Sequence, residues 1–487
     1  MVLNYKVIIK LSGIILLLLA GFMLPSLLVS LLYKEEAAMR AFLYTIVPML
    51  AAGGLITVLV KADYTLLRIR DGFVIVALCW TLGSVFGALP YVISGSIPNF
   101  IDAFFETVSG LTTTGSSILT DVEVLPRGLL FWRSFTHWIG GMGIVVFAIA
   151  LLPMLGIGGQ KVARAETTGP TFGKLTPKLT ESAKILYMIY IGMTVLQIVL
   201  LLLGGMGLFD SLIHAFGTVG TGGFSDKNTS IMYYDNPYFE IVIGIFMILA
   251  GTNFTLYYYV LRGNWREFFS DSELRIYLLI FGSAVLLIAL NLWTGGHYDS
   301  IGQSLRFSFF QSSSIMTTTG FASADFDLWP SFSKMILFVL MFIGGCSAST
   351  AGGIKVIRIL LLLKLLKRGL TVRLHPRAVI AIKVNDKPIP ADTISAVANF
   401  VFLYCVIFFT GTLLLSLENH DLITTASAVA ASLGNVGPGF NLVGPMLNYS
   451  LFSDASTFLL AMLMLIGRLE LFTIILLFTR HFWNPDR

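Results

Sequence analysis

The chain has very little charge for its length. Of its 487 residues, 12% are Asp, Glu, Lys or Arg and 56% are hydrophobic, and the mean hydropathy is +0.84. Soluble domains carry about a quarter charged residues. This composition excludes an ordinary soluble globular protein and indicates a polytopic membrane protein. The first apolar stretch, at about 7–33, is longer than the apolar region of a signal peptide, so we interpret it as a retained membrane helix.

Cysteines and catalytic motifs are equally scarce. The three cysteines, Cys79, Cys346 and Cys405, lie in apolar stretches without metal-ligand spacing, which predicts neither a disulfide nor a metal site. The sequence has no His-Glu-x-x-His motif, no Gly-x-Ser-x-Gly motif and no paired intramembrane aspartates. These absences disfavour an intramembrane enzyme, and we found no nucleotide-binding motif and no reason to expect a nucleic-acid partner or an organic cofactor.

Apolar runs long enough to cross a bilayer, about 20 residues each, occur ten times. The candidate spans lie at about 7–33, 39–60, 72–94, 131–156, 182–205, 238–261, 276–294, 331–363, 392–416 and 456–480. An even number of spans places both termini on the same side of the membrane.

The distribution of basic residues indicates which side that is. Loops 61–71, 161–184, 262–275 and 355–387 together carry 20 Lys and Arg against eight acids. The four loops on the opposite side carry only three Lys and Arg. By the positive-inside rule, the basic loops and both termini are cytoplasmic.

The outer loops contain a repeat. Each holds an apolar stretch of about 10 to 20 residues, too short to span and typical of a re-entrant segment, followed by a polar turn with glycine. The copies read "FIDAFFETVSGLTTTGSS" (100–117), "LFDSLIHAFGTVGTGGFS" (208–225), "YDSIGQSLRFSFFQSSSIMTTTGFAS" (298–323) and, most weakly, "HDLITTASAVAASLGNVGPGF" (420–440). The spans that follow also share a motif: "HWIGGMG" (137–143), "ILAGTNF" (248–254), "FIGGCSAS" (342–349) and "LIGRLEL" (465–471).

Four re-entrant turns around one axis have the composition of a cation filter. We aligned the turn glycines as Gly115, Gly222, Gly320 and Gly437, at intervals of 107, 98 and 117 residues. Rings of backbone carbonyls replace the hydration shell of a cation, and glycine permits the dihedrals that such a backbone requires. Acids near the start of the half-spans suit helix N-termini and are expected to make the outer mouth attractive to cations. The alternative is that these small residues only pack helices together.

With this plan and these turns, the chain resembles the Trk/Ktr/HKT superfamily of potassium transporters, and within it the bacterial TrkH type. The resemblance implies an all-α protein of the bacterial inner membrane, with four helix–pore loop–helix units around a pseudo-four-fold pore and two extra N-terminal helices. It divides the chain into the extra helices (1–60) and pore repeats at 61–160, 161–265, 266–370 and 371–487.

The resemblance also implies which residues bind potassium. In each turn these are the glycine and the two residues before it, whose carbonyl oxygens would bind the ion: Thr113, Thr114, Gly115, Gly220, Thr221, Gly222, Thr318, Thr319, Gly320, Asn435, Val436 and Gly437. Members with serine at the first filter glycine tend to admit sodium, so Gly115 favours potassium over a sodium-permeable relative. The fourth turn, "NVGPGF", lacks the Thr-Gly ending of the other three.

The third repeat contains a candidate gate. The segment "GGCSASTAGGIK" (344–355) has four glycines and six other small residues, which weaken a continuous helix. Small residues of this kind are typical of a tight helix crossing. By resemblance, the segment is instead an intramembrane loop in which Gly345, Ser349, Thr350, Gly352 and Gly353 block the pore. Arg468 lies in the middle of the last span, where an intramembrane charge indicates a functional site. It is either an electrostatic barrier in the pore or the ion-pair partner of an acid such as Glu470.

Two further assignments stay open at this level. Arg306 is expected to pair with Asp325 or Asp327. His137, His214 and His297 either tune a pH response or, in the interpretation we favour, are ordinary interface residues. The basic segment 355–387 suits anionic lipid contact. By resemblance, the chain forms a homodimer and binds a cytoplasmic nucleotide-binding regulator of the TrkA type. Repeats and broken helices fit both a gated channel and a proton-coupled symporter.

Overall fold

The computed structural model describes residues 3–63, 69–143, 179–378 and 380–483, and its architecture is helical. The first two helices, α1 (Tyr5–Leu32) and α2 (Glu36–Leu59), form a hairpin outside the repeats. They cross at two glycines, because a Cβ on Gly53 would lie 2.8 Å from the carbonyl oxygen of Gly13. Small residues at a crossing allow membrane helices to approach closely.

The rest of the chain forms four units, each with a span, a short pore helix and a second span. The first has α3 (Ile69–Ile93), pore helix α4 (Phe100–Leu111) and α5 (Arg127–Gly141); the second has α6 (Leu179–Leu203), pore helix α7 (Leu208–Val219), α8 (Pro237–Ala250) and α9 (Phe254–Leu261), and α10 (Trp265–Ser270) leads out of it. The third has α11 (Ser272–Thr294), pore helix α12 (Ile301–Met316), α13 (Ser331–Phe342) and α14 (Val356–Leu374); a hairpin of β1 (Lys383–Val384) and β2 (Lys387–Pro388) leads to the fourth, with α15 (Ala391–Leu415), pore helix α16 (Leu422–Gly434), α17 (Asp454–Arg468), α18 (Phe472–Ile475) and α19 (Arg480–Trp483). Short 3₁₀ turns lie at Ser230–Tyr234, Phe326–Leu328, Ser416–Glu418, Asn441–Val443 and Leu476–Phe478. The predicted fold class is confirmed.

The second spans of the second, third and fourth units depart from the sequence prediction. Among the described residues, six helices are long and apolar enough to cross a membrane without interruption. The expected spans 238–261 and 456–480 are instead bent pairs, with angles of 96° at the α8–α9 break and 111° after α17. The span 331–363 is divided by a loop. The span 131–156 begins with α5, and its part after residue 143 lies outside the described residues.

These interruptions explain the motif shared by the second spans. Helices α5, α8, α13 and α17 end at Gly141, Ala250, Phe342 and Arg468, each inside its copy of the motif. The similar sequences therefore mark four helix ends at one level of the fold. The last C-terminal carbonyls of each helix have no intrahelical partner and must find one elsewhere.

The pore helices begin with the caps and acids that their sequences predict. Asn99, Ser300 and Asp421 are N-caps whose side chains accept from the backbone two or three residues later. Asp102 and Asp210 lie in the first turns of α4 and α7, where a helix N-terminus favours negative charge. Each pore helix thus begins with a polar capping side chain, an acid in its first turn, or both.

Candidate functional site: four filter loops and the gate beneath them

Each pore helix ends in the same turn. At the end of each pore helix one residue adopts the left-handed conformation, namely Thr113, Thr221, Thr318 and Asn435, with φ between 55° and 57°. The next residue donates its N–H to a carbonyl five positions back; these four bonds are Thr114 to Ser109, Gly222 to Gly217, Thr319 to Ser314 and Val436 to Ala431, all 2.8 Å. This is the Schellman arrangement, and its repetition defines which residues are equivalent.

The equivalent backbone conformations give the second loop a different register from the one predicted from the sequence. Glycines with positive φ follow two residues after the left-handed residue, at Gly115, Gly223, Gly320 and Gly437. The sequence alignment placed Gly222 in this set, one residue too early. "GTGG" offers two adjacent glycines, and only the backbone conformation separates them.

The four glycines close a ring. A Cβ on Gly115 would lie 2.1 Å from the carbonyl oxygen of Gly222, and one on Gly223 would lie 1.9 Å from that of Thr319. The third and fourth members continue the order: Gly320 against the oxygen of Val436 at 2.3 Å, and Gly437 against that of Thr114 at 2.6 Å. In each loop, the filter glycine therefore packs against the carbonyl of the residue that precedes the filter glycine of the next loop. Any side chain at these positions would displace a carbonyl of the ring.

Strain separates three of the loops from the fourth. A β-branched residue with positive φ is a conformational outlier, and three threonines hold this conformation. Asparagine tolerates it much better. The Asn435 amide donates to Thr114 Oγ1 at 3.0 Å and to the Met464 carbonyl at 2.9 Å, which ties the fourth loop to the first loop and to α17. The departure of the fourth turn from the Thr-Gly pattern thus has a structural reason.

A buried ion pair and a histidine support the first two loops. Arg133 on α5 contacts Glu106 on α4 at 2.5 Å and donates to the Ser225 carbonyl at 2.9 Å. Glu106 also accepts from the Ile118 N–H. His137 bridges the same loops, since Nδ1 lies 2.8 Å from the Gly110 carbonyl and Nε2 accepts from the Phe224 N–H at 3.1 Å. These partners require the neutral ring with its proton on Nδ1.

Above the ring lies an open cavity of about 130 Å³, lined by residues that follow the filter glycines. Ser116 and Tyr449 both donate to the Gly437 carbonyl, at 2.9 and 2.8 Å, which fixes its wall. The charged side chains on the described wall are Arg133 and Lys227. The first-turn acids Asp102 and Asp210, which are expected to attract cations to the outer mouth, do not line this cavity.

Below the ring lies the small-residue segment, here named the gate loop (residues 343–355). It leaves and rejoins its helices at adjacent points, since Ile343 and Ile354 form a parallel bridge. The Gly352 N–H donates to Thr318 Oγ1 at 2.7 Å, and a Cβ on Gly352 would lie 2.5 Å from the Gly434 carbonyl. The loop therefore touches the inner ends of filter loops three and four.

The second unit holds the other side of the gate loop. Cys346 donates its N–H to the Gly251 carbonyl at 2.8 Å, and Phe254 donates to the Ala348 carbonyl at 3.1 Å. Thr350 Oγ1 donates to the Ala250 carbonyl at 3.2 Å. Carbonyls left over by the end of α8 are thus satisfied by the gate loop.

Arg468 joins the gate loop to the first unit. Its guanidinium donates to the carbonyls of Thr350 at 2.8 Å, Gly140 at 2.7 Å and Gly141 at 3.1 Å. Glu470, the acid considered as its partner, lies beyond the helix end and pairs with Arg358 at 2.5 Å. The arginine therefore lies beneath the ring among helix-end carbonyls.

Two other expectations need correction. Arg306 pairs with Glu240 through two bonds of 2.7 Å and with Asp235 at 2.9 Å, rather than with Asp325 or Asp327. Its partners come from the second unit, which no local sequence pattern indicates. His137 and His214 are buried and hydrogen-bonded rather than interface residues, and the signal that was available is the position of His137 at the start of the shared motif.

The described residues contain no group of three His, Cys, Asp or Glu side chains able to hold a metal. What the site offers a cation is a ring of carbonyl oxygens that the backbone turns toward neighbouring loops. Such oxygens suit a weakly held, partly dehydrated monovalent ion.

Comparisons with known proteins agree with this architecture. The family model for TrkH, described as a cation transport protein, matches residues 38–484. The Trk system potassium uptake protein TrkH of Salmonella typhimurium is 39% identical over 486 residues, covering 99% of this chain and 100% of the relative. The potassium uptake protein TrkG of Escherichia coli K12 is 38% identical over 484 residues, covering 99% of each.

A solved structure is similar along the whole chain. The crystal structure of the potassium transporter TrkH from Vibrio parahaemolyticus matches with a TM-score of 0.89 and 37% sequence identity, covering 99% of this chain and 100% of that chain. With its four pore loops and these full-length matches, the chain belongs to the TrkH family of multi-pass cation transport proteins.

Proposed function

We propose that this chain is the potassium-conducting subunit of a Trk-type uptake system in a bacterial inner membrane. The observation that carries this proposal is the closed ring, in which each filter glycine presses against a carbonyl of the next loop. A ring of equivalent carbonyls is the structure that potassium filters use. The names of the relatives point to the same ion.

In this proposal, eight carbonyl oxygens line the ion path. They belong to Thr113, Thr114, Thr221, Gly222, Thr318, Thr319, Asn435 and Val436, the residues equivalent by backbone conformation. The second loop therefore contributes Thr221 and Gly222 in place of Gly220 and Thr221. Filter glycines Gly115, Gly223, Gly320 and Gly437 keep the ring tight enough to favour potassium over sodium.

The gate loop and Arg468 close the path below the filter. Gly345, Ser349, Thr350, Gly352 and Gly353 form the part of the loop beneath filter loops three and four. The guanidinium of Arg468 adds positive charge in the same layer, which raises the energy of a cation there. Opening requires the loop to leave Thr318 and requires the Arg468–Thr350 bond to break or move.

Conduction with gating is the first candidate mechanism, and proton-coupled symport is the second. Titratable Glu273, Lys355 and Glu470 lie near the gate, which keeps proton coupling possible in chemical terms. However, Glu273 is bonded to backbone amides, Lys355 donates to the Ala351 carbonyl and Glu470 pairs with Arg358. Engaged groups are poor proton carriers, which favours the gated channel.

The test is rubidium uptake into vesicles that contain the purified protein, with sodium as competitor and with the proton gradient varied independently. We expect uptake that sodium barely inhibits and a reversal potential that follows potassium alone. A reversal potential that shifts with pH would replace the channel by a symporter. Equal inhibition by sodium and potassium would reject the potassium filter.

The remaining assignments concern surroundings and partners. Basic loops predict cytoplasmic termini, and a TrkA-type nucleotide-binding subunit is proposed to bind that face of a homodimer. ATP, ADP or NAD would act through this partner. Co-purification of the two proteins, with and without nucleotide, tests this part separately from conduction.

A further inference from the structure

Glu273 is a buried carboxylate that belongs to neither the filter nor the proposed gate residues. It is the second residue of α11, two positions after the N-cap Asp271, and its surface is 4% exposed. Nothing in the sequence pattern singles it out, because an acid in the first turn of a helix is ordinary. Its contacts, however, lead to another part of the molecule.

The Glu273 carboxylate accepts three hydrogen bonds from the third repeat. Oε1 accepts from the Ser347 N–H at 2.6 Å and from the Ile357 N–H at 3.1 Å. Oε2 accepts from the Ser347 hydroxyl at 2.6 Å. Ser347 lies within the gate loop and Ile357 lies in the first turn of α14, so one side chain holds both the loop and the helix that follows it.

These bonds are of the strong kind. Hydrogen bonds to an ionised acceptor are roughly twice as strong as neutral ones, whereas the loop's bonds to Gly251, Ala250 and Thr318 join neutral groups. Removing the carboxylate would leave two buried backbone N–H groups without their acceptor, which is costly. The loop would then lose much of its preference for the position beneath the filter.

The start of α11 is also connected to the cytoplasmic hairpin. Asn385, in the turn between β1 and β2, accepts from the Ser272 N–H at 2.8 Å and donates to Asp271 at 2.8 Å. Glu273 is the next residue along the chain. A displacement of this exposed turn would therefore move the residue that holds the gate loop.

We propose that Glu273 is a positioning residue that latches the gate loop in its closed position. The proposal rests on the proposed function of the loop as a gate. It assigns to a residue outside the pore the task of setting how often the pore opens, and it makes the start of α11 the point from which the gate can be released.

The test compares passive rubidium flux through vesicles for Glu273→Ala, Glu273→Gln and a matched control, Glu267→Ala. Glu267 lies six residues earlier, in α10, and is exposed. Glu273→Ala should raise flux about tenfold, since charge-assisted bonds to buried donors are lost. Glutamine keeps one oxygen for the two amides, and its amide N–H can donate to the Ser347 hydroxyl, so it should stay within about threefold of the unmodified protein. Glu267→Ala should leave flux unchanged.

Ser347→Ala supplies a milder, independent variant. It removes the hydroxyl bond alone and should raise flux about threefold, consistent with one hydrogen bond. The double variant Glu273→Ala/Ser347→Ala should leak no more than Glu273→Ala, because both changes break the same contact. The ratio of rubidium to sodium flux should stay constant throughout, since a latch acts on opening and not on the filter.

Each outcome has a distinct meaning. If deletion of 345–352 leaks but Glu273→Ala behaves like Glu267→Ala, the latch is wrong and the gate stands. If the deletion does not leak either, the gate itself is wrong. If Glu273→Ala is not monodisperse after purification, Ser347→Ala decides, and unchanged flux in that variant overturns the latch. A leak accompanied by lost ion selectivity would indicate a damaged pore and would also overturn it.

Discussion

The filter and the layer directly beneath it follow opposite rules. In the filter, four loops repeat the same left-handed residue, the same hydrogen bond and the same glycine, and each contacts its neighbour in the same way. In the layer beneath, the equivalent helices end at Gly141, Ala250, Phe342 and Arg468, and these four ends take three different roles. The third supplies the gate loop, the fourth supplies Arg468, and the second and first supply carbonyls to hold them.

The difference follows from what each layer must do. A cation is spherical and gains most from ligands on all sides, so repetition is favoured around it. In the proposed function, blocking a narrow path needs only one object, and the loop 343–355 of the third unit supplies it. A repeated helix end therefore gives four equivalent positions, and divergence of side chains gives one of them the gate.

The largest expected effect comes from removing the asymmetric layer. Deletion of 345–352 joins Gly344 to Gly353, whose backbones already lie next to each other. Passive rubidium flux should rise on the order of 100-fold, the change expected when a gate that is closed 99% of the time is lost. Flux into vesicles measures it, and flux equal to that of the unmodified protein would contradict the gate assignment.

The filter is tested at Gly223, the glycine whose position in the second loop differs from the sequence prediction. Gly223→Ser places a Cβ against the Thr319 carbonyl and should lower selectivity for rubidium over sodium about tenfold, or ~1.4 kcal/mol. Gly115→Ser should act in the same direction. Gly205→Ser is the control, because that glycine also has positive φ but faces open space. Intact selectivity in Gly223→Ser would argue that the second loop has a different register.

Variants of Arg468 distinguish the effect of its positive charge from the effect of its hydrogen bonds. Arg468→Ala should speed ion passage several-fold, since it removes a positive charge from the path and the bond to the Thr350 carbonyl. Arg468→Lys keeps the charge but cannot hold three carbonyls with a planar fork. If both variants conduct alike, the hydrogen bonds matter most, and if only alanine is faster, the charge does. Slower passage in Arg468→Ala would indicate a purely structural role.

The smallest effect is expected at the junction of the fourth and first loops. Asn435→Thr gives the fourth loop the residue of the other three but removes both amide bonds and adds strain. It should cost about 1–3 kcal/mol of stability, measured as a lower thermal midpoint in detergent, with selectivity little changed. A variant as stable as the original would show that Asn435 is not a structural tie.

Several features were predictable because they depend on local sequence. Apolar run length predicted the six uninterrupted spans among the described residues, and glycine-bearing turns marked the C-terminal ends of the pore helices. The four-fold plan was readable because each repeat must form the same element. The register of the second loop was predicted wrongly because "GTGG" contains two candidate glycines, and only the backbone conformation, with positive φ at Thr221 and Gly223, selects between the registers.

Other features depend on neighbours that are remote in sequence. The breaks after Ala250 and Arg468 occur inside runs apolar enough to be read as continuous spans. Arg306 bonds an acid 66 residues away, and the Glu106–Arg133 pair and His137 support loops from another helix. No window of local sequence contains both partners of such contacts.

By itself, the sequence determined that this chain lies in a membrane, that it repeats a span–turn–span unit four times, and that glycine and threonine occupy the turns. Hydrophobicity and turn chemistry are local, so they can be read without coordinates. Only the tertiary structure decided which glycine faces which carbonyl, that the second spans of units two, three and four are interrupted, and that Glu273 and Arg468 bond the gate loop. Those facts depend on distances between repeats, because burial and hydrogen bonding are settled by whichever groups the packed helices bring together.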